Sequence, residues 1–334
     1  MPKISIIIPC LNEEKYIKNC LSSIIDSEYN KNDLEVLVVD GMSSDKTLEI
    51  VQEFSRKYTF IKLLDNVKKI APVAMNIGIK EAQGEYIIRL DAHAFYPKDY
   101  FDKLISWHQK LDADNIGAVI ITDVKHENLK SNAIKRALSS KFGVGNSEFR
   151  TGVAEIKEVD TVPFGCYRKE VFQKYGYYDE RLVRNQDIEL NKRIINGGGK
   201  IYLVPDVQCT YYARENFTAL AKNNYANGKW NILTAYYTKT FNSLSIRHFV
   251  PLIFILSIVL PSLLIPLSEK FLYAAIVPLL SYSTLVIIAS IKLRNSSNNI
   301  IYLMVSFFTL HFSYGIGSLV GIFTVIKKII KGEK

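Results

Sequence analysis

The sequence predicts an α/β fold with a mostly parallel central sheet, followed by C-terminal transmembrane helices. Three observations carry that expectation. Short, almost wholly apolar runs alternate with helical segments over the first 240 or so residues, the pattern of parallel strands covered on both faces. Polar side chains able to do chemistry fall just after several of those runs. From Phe249 onward the chain becomes strongly apolar in three long stretches.

The first run, "ISIIIP" (Ile4–Pro9), leads into "NEEKYIKNCLSSIID". There Asn12 is a candidate helix cap, and Glu13 and Glu14 suit the positive helix end. "LEVLVVD" (Leu34–Asp40) reads as a fully buried strand, and Ser44 in the following "GMSSD" is positioned to cap "DKTLEIVQEFSRKY". "FIKLLD" is a third strand, "APVAMNIGIKEAQG" a helix stopped by Gly84, and "EYIIRLD" a fourth strand. Gly117–Thr122 is a further strand, and the Gly- and polar-rich stretch Ser139–Glu155 reads as a long loop. "VDTVPFGCYRKEVFQKYG" places a strand and Gly165 before a short helix, and "NQDIELNKRIINGGGKIYLVPD" reads as helix, glycine stop and strand. In open sheets of this kind ligands bind outside the carboxyl ends of the strands, which is where Asn12, Asp40 and Asp91 fall.

With 334 residues and 48% hydrophobic content the chain can bury sizeable cores. A net charge of +9 fits an anionic membrane face or a phosphorylated substrate. No basic block interleaved with aromatics and no zinc-finger or helix-turn-helix pattern points to nucleic acid. Cys10, Cys20, Cys166 and Cys209 are widely spaced without a Cys-x-x-Cys, so buried small hydrophobes in a reducing compartment are expected, without structural zinc. The chain opens directly on "KISIIIP" with no signal-peptide pattern, so this end is expected in the cytoplasm.

The stretches Phe249–Leu267, Phe271–Ile291 and Ile300–Ile326 approach or exceed the roughly 20 residues that cross a bilayer. The expected organisation is a cytoplasmic catalytic domain over 1–240 and a membrane region of two or three hydrophobic helices over 241–334. Three crossings would put "KKIIKGEK" outside, against the positive-inside tendency. Pro251, Pro261 and Pro266 make the first stretch a candidate re-entrant or interfacial element. Membrane attachment is expected, without a fixed crossing count.

The chemistry concentrates in a few places. In "RLDAHAFYP", Asp91 and His93 are two apart, so in extended backbone both project to one side. A carboxylate with an imidazole suits Mn²⁺ better than Mg²⁺; the alternative is a strand-end Asp beside a surface histidine. Protonation of an ordinary imidazole would set a loss of activity near pH 6. Asp40 can accept from a base N–H or ribose hydroxyl, or can simply form the turn before Gly41. Asp187 in "RNQDIEL" either caps a helix or serves as a general base. Lys229 and Trp230 in "NNYANGKW" either anchor at a membrane interface or bind phosphate or acceptor.

Taken together, "SIIIPCLNEE", "VVDGMSSDKT", "APVAMNIGIKEAQGEYIIRLDAHAFYP", "VPFGCYRKEVF", "YDERLVRNQDIELNKRI" and "YANGKW" resemble, in order, the family 2 inverting glycosyltransferases of the GT-A fold. The bacterial succinoglycan-biosynthesis type is the nearest likeness. The resemblance implies that Pro9, Asn12, Glu13, Asp40, Lys69, Asn76 and Asp91 bind the nucleotide-sugar. It implies Asp91 and His93 as metal ligands and Asp187 as the catalytic base. It also implies that Gly165, Arg184, Lys229 and Trp230 contact acceptor or diphosphate. Three positions depart from the family pattern. His93 replaces the second Asp of Asp-x-Asp, although polypeptide N-acetylgalactosaminyltransferases also use Asp-x-His. Gln186 stands where Glu is common before the base, and Lys229 replaces an Arg, turning bidentate phosphate recognition into a point charge.

The expected activity is inverting transfer of a sugar, from a UDP-sugar, to a hydroxyl of a lipid-linked (polyprenyl-diphosphate) saccharide. The expected setting is the cytoplasmic side of a bacterial inner membrane, in exopolysaccharide or cell-surface glycan synthesis, with a divalent cation (Mn²⁺ ahead of Mg²⁺) and no nucleic acid. The alternative is a polyprenyl-phosphate glycosyl synthase, whose acceptor is already ionised and needs no base. A nucleotidyltransferase would normally show a Gly-rich phosphate loop that "PCLNEEKYIKN" lacks. A non-catalytic membrane protein would have no use for the retained Asp40, Asp91, His93 and Asp187.

Overall fold

The computed structural model describes residues 3–239 and 246–332. The expected domain boundary at 240–241 lies outside the described residues. The chain divides into two compact units, residues 1–121 with 148–212 and residues 122–147 with 213–334.

The first unit opens with β1 (Ile4–Cys10), α1 (Ile17–Ile25), β2 (Leu34–Asp40), α2 (Thr47–Lys57), β3 (Ile61–Asp65), α3 (Ala71–Glu81) and β4 (Tyr86–Arg89). β3, β2, β1 and β4 lie side by side in parallel, with Ile4 opposite both Leu34 and Tyr86. Alternation explains why the strands are apolar throughout. Ile4, Ile6, Ile8, Val36 and Val38 enter one core with Ile17, Leu21 and Val51. Ile7, Leu37 and Val39 enter the other with Ala74, Met75 and Ile79. Each fully buried Ile or Leu contributes roughly 1.5–3 kcal/mol.

The sheet then turns mixed. β5 (Ala94–Phe95), α4 (Tyr100–Leu111), β6 (Asn115–Asp123), and later β7 (Lys157–Glu158), β8 (Cys166–Arg168), α8 (Glu170–Tyr175), α9 (Gln186–Asn196) and β9 (Ile201–Tyr212) complete it. The order is β3-β2-β1-β4-β8-β6-β9-β5, with β7 on β9. β8 runs antiparallel to both β4 and β6.

Several local expectations are corrected. Asn12 is not a helix cap: it adopts φ 56°, and α1 begins only at Ile17. The helix after Asp40 is not capped by Ser44: its N-cap is Lys46, and Asp45 Oδ1, one residue earlier, accepts from the Thr47 amide at 3.0 Å. Gly84 does not stop a helix that already ends at Glu81. A Cβ there would lie 2.5 Å from the Ser5 nitrogen, so close backbone approach requires glycine. The stretch 139–155 is not wholly loop: it holds two short helical turns, Lys141–Val144 and Glu148–Thr151.

The second unit is helical: α5 (Leu129–Leu138), α6 (Lys141–Val144), α10 (Phe217–Thr238), α11 (Val250–Leu264), α12 (Lys270–Leu293) and α13 (Ile300–Ile330), α7 (Glu148–Thr151) belonging to the first. Asn128, Asn216 and Asn299 cap α5, α10 and α13 by accepting from backbone amides. Three segments, Val250–Leu267, Lys270–Leu293 and Ile300–Ile330, are long and apolar enough to cross a membrane.

Candidate active site

The carboxyl ends of β1, β2 and β4 are neighbours in the sheet, so their following loops converge. After β1, Asn12 Oδ1 accepts from the Ser44 amide at 2.8 Å, while the Asn12 and Glu13 amides donate to Ser43 Oγ at 2.9 Å and Thr47 Oγ1 at 2.7 Å. Asp40, 2% exposed, accepts from the Ser43 amide at 2.8 Å and from Ser43 Oγ at 2.5 Å. Its turn-forming role is thus present. Pro9 is half-buried and pairs in register with Val39. Asn12, Met42, Lys69, Phe164 and Asn185 all take positive φ without being glycine. Lys69 closes a local turn, its amide donating to the Asn66 carbonyl at 3.1 Å.

The central feature is one the sequence reading missed. Arg89 ends β4, and its guanidinium lies between two carboxylates: Nη2 is 3.3 Å from Asp91 Oδ1 and Nη1 is 3.8 Å from Asp187 Oδ2. All three side chains are mostly buried, at 13%, 22% and 29% exposure. Arg89 Nε and Nη1 have no hydrogen-bond partner. The carboxylates hold the guanidinium charge more firmly than its burial opposes it, and its pKa is raised. The missed signal was period-2 alternation: Arg89 and Asp91 project to the same side of extended chain. Asp187 is the second residue of α9, behind Asn185 in left-handed backbone, so it is not the cap.

His93 and Asp91 flank buried Ala92. Glu13 Oε1 lies 3.2 Å from His93 Nδ1, and Tyr211 presents its ring edge-on to the imidazole at 5.0 Å between centroids. Burial opposes a charged ring, but Tyr211, the Glu13 hydrogen bond and Asp91 outweigh it and raise His93 to about 9. The expected titration near pH 6 is therefore displaced upward. The Glu13 carboxylate against Nδ1 fixes the orientation of the ring. Among the described residues no group of three or more His, Cys, Asp or Glu side chains could hold an ion. Asp91 and His93 are two candidate donors, one fewer than such a group.

The other expected residues lie on several different elements. Asn76, buried, brackets the segment before Asp187: its Nδ2 donates to the Tyr178 carbonyl at 2.9 Å, and its Oδ1 accepts from the Tyr178 amide at 3.0 Å. Lys69 is exposed in the loop between β3 and α3. Gly165 precedes β8, and a Cβ there would fall 2.5 Å from Asn115 Oδ1 and 2.7 Å from Tyr167 Cε2. Its carbonyl accepts from the Arg89 amide at 3.1 Å. Arg184 is partly buried just before α9. Lys229 and Trp230 lie on α10 of the second unit, with Trp230 stacked on Tyr237 at 6.4 Å.

A family model described as glycosyl transferase family 2 matches residues 5–176. The dolichyl N-acetyl-alpha-D-glucosaminyl phosphate 3-beta-D-2,3-diacetamido-2,3-dideoxy-beta-D-glucuronosyltransferase of Methanococcus voltae is 32% identical over 272 residues, covering 78% of this chain and 83% of that protein. Succinoglycan biosynthesis protein ExoA of Rhizobium meliloti (strain 1021) is 32% identical over 226 residues, 67% of each chain. Among solved structures, the mannosyltransferase PcManGT from Pyrobaculum calidifontis, in complex with GDP-Man and Mn²⁺, aligns with TM-score 0.59 at 15% identity, covering 96% of this chain and 86% of that one. S. aureus TarS 1–349 aligns with TM-score 0.53 at 17% identity, covering 99% and 92%. Likenesses at that identity speak for the fold alone.

Proposed function

The chain belongs to glycosyl transferase family 2 and has its GT-A fold, and on that premise we propose that this enzyme moves a sugar from a UDP-sugar to a hydroxyl of a lipid-linked saccharide, with inversion. The acceptor class is supported by the names of its relatives, which cite a dolichyl phosphate sugar, succinoglycan and poly(ribitol-phosphate). The membrane setting is supported by the three apolar helices, and a bacterial inner membrane with the catalytic domain on its cytoplasmic side suits a nucleotide-sugar donor.

One observation carries the mechanism: a single buried guanidinium joins Asp91, on the nucleotide side, to Asp187, on the acceptor side. Pro9, Asn12, Glu13, Asp40, Lys69 and Asn76, at the carboxyl ends of β1 and β2, in the loops after β1 and β3 and in α3, receive the base and ribose. The acceptor oxygen bonds to the anomeric carbon as the bond from that carbon to the diphosphate oxygen breaks on the opposite face, and its proton passes to Asp187. Proton transfer to Asp187 is late, when the attacking oxygen has become acidic. Lys229 and Trp230, with Gly165 and Arg184, receive acceptor and diphosphate. A divalent cation bound by Asp91 and His93 would neutralise charge on the departing diphosphate, and the imidazole favours Mn²⁺ over Mg²⁺.

The test is a comparison of acceptors. Purified protein with a UDP-sugar panel should transfer to a polyprenyl-diphosphate saccharide and not to bare polyprenyl phosphate. Efficient transfer to bare polyprenyl phosphate would replace this reading by a glycosyl-phosphate synthase.

A further inference from the structure

The three apolar helices of the second unit have unequal surroundings. α13 runs beside α10 in the same direction. Phe217 meets Tyr302 at 6.1 Å between centroids, and Leu220 packs with Phe307 and Leu310. Further along, a Cβ on Gly228 would meet the Ser318 nitrogen at 3.0 Å, and one on Gly321 would meet Ile232 Cβ at 3.0 Å. At the far end, Lys328 Nζ is 5.9 Å from the Tyr237 ring centroid. The contacts therefore advance together from 217 and 302 to 237 and 328. Ile134 and Ala137 of α5 join the same cluster as Phe307 and Leu310, and the Phe142 ring of α6 sits edge-on to Phe307 at 4.9 Å.

α11 and α12 are different. They form an antiparallel hairpin, Phe254 against Tyr282 at 4.4 Å, that meets α13 where Phe254 packs on Phe312 at 5.3 Å. Beyond that contact Leu260, Leu263, Leu267, Tyr273, Val277 and Leu280 are 53–77% exposed. The apolar spans of α11 and α12 are 11% and 17% buried within the protein, against 33% for α13.

From these surroundings we infer that only the α11–α12 hairpin enters the hydrocarbon of the bilayer. α13 stays bound to α10 at the membrane surface, and the two ends of the chain lie on the same face. The inference rests on the membrane attachment proposed above. A crossing α13 would take α10 with it over its whole length, carrying Lys222, Asn223, Asn224, Asn227 and Lys229. Each lysine would cost about 2.5–3.5 kcal/mol at mid-helix. The apolarity of α13 is accounted for without lipid on every side: much of it packs on α10, α5 and α6. Its exposed Ile301, Val305, Ile316, Phe323, Ile326 and Ile330 fall on one stripe at helical spacing, with exposed Ile329 outside it, which suits an interfacial helix. Even crossing number also returns Lys327, Lys328 and Lys331 to the side where positive charge accumulates.

The experiment uses the full chain with one epitope at each end, in sealed inside-out membrane vesicles treated with protease. Both epitopes should be lost together, and both should survive in right-side-out vesicles. Membrane-bound protein with one epitope protected and the other digested would overturn the assignment of α13. Recovery of the chain in the soluble fraction at low salt would instead overturn membrane attachment itself. As a second readout, Leu263→Cys and Val277→Cys labelled with a fluorophore should be quenched by acyl-chain quenchers deep in the bilayer. Ile316→Cys, on the exposed side of α13 near its middle, should not, and deep quenching there would contradict the inference.

Discussion

Replacing Arg89 by Met removes the charge between Asp91 and Asp187 while keeping a chain of similar length. The guanidinium nitrogens are 3.3 Å and 3.8 Å from the two carboxylates. At an effective dielectric near 20 those separations correspond to gross attractions of about 5 and about 4 kcal/mol. Desolvation of the three groups cancels a large share, so a net loss of about 2–3 kcal/mol is expected, or roughly 30- to 150-fold in kcat. The assay is steady-state nucleotide release with donor and acceptor varied separately. Both carboxylates should be displaced, so kcat falls and donor KM rises together. Arg89→Lys should recover part of the rate, since one ammonium cannot serve both carboxylates with the geometry of a guanidinium. Arg89→Met with kcat within about threefold of the unaltered enzyme would refute the bridging role.

His93→Ala should abolish any preference for Mn²⁺ over Mg²⁺; an unchanged metal preference in that variant would remove His93 from the ligand set. His108 is fully buried, and burial lowers its pKa from 6.5 to about 4, with the hydrogen bond to the Cys166 carbonyl only partly opposing the shift. The unfolded chain therefore takes up a proton near pH 6.5 that the folded chain refuses until about pH 4, so stability is complete above 6.5 and falls between those values by about 3 kcal/mol. Denaturant titrations across that range should show the decline, and His108→Phe should flatten it; equal slopes in both proteins would contradict the assignment. Gly165→Ala forces a Cβ to within 2.5 Å of Asn115 Oδ1, and an overpacked site of this kind costs about 1–3 kcal/mol of stability. A melting temperature unchanged from the parent would show that the loop gives way freely.

The parallel half of the sheet was legible because its code is local. β1 and β2 are buried on both faces, so "ISIII" and "LEVLVV" are apolar at nearly every position, and their carboxyl ends point to the site. The antiparallel half was only partly legible. β8 is three residues long and is fixed by pairing with β4 and β6, segments far away in sequence. Asn12 was misread as a cap because its residue type suits both a cap and a left-handed turn. Only the contacts to Ser43, Ser44 and Thr47 decide between them. Arg89 was overlooked because a charge at a strand end usually faces water; here the acid from α9 arrives from almost a hundred residues downstream. The Glu13 carboxylate lies against His93, a pairing no spacing rule connects.

The assignment of Asp187 as the base is the point on which the rest depends. Purified protein in detergent, with a UDP-sugar, Mn²⁺ and a polyprenyl-diphosphate saccharide, should release UDP in step with glycosylated product. Asp187→Asn should bind UDP with nearly unchanged affinity and form no product. Full transfer by that variant would contradict the account.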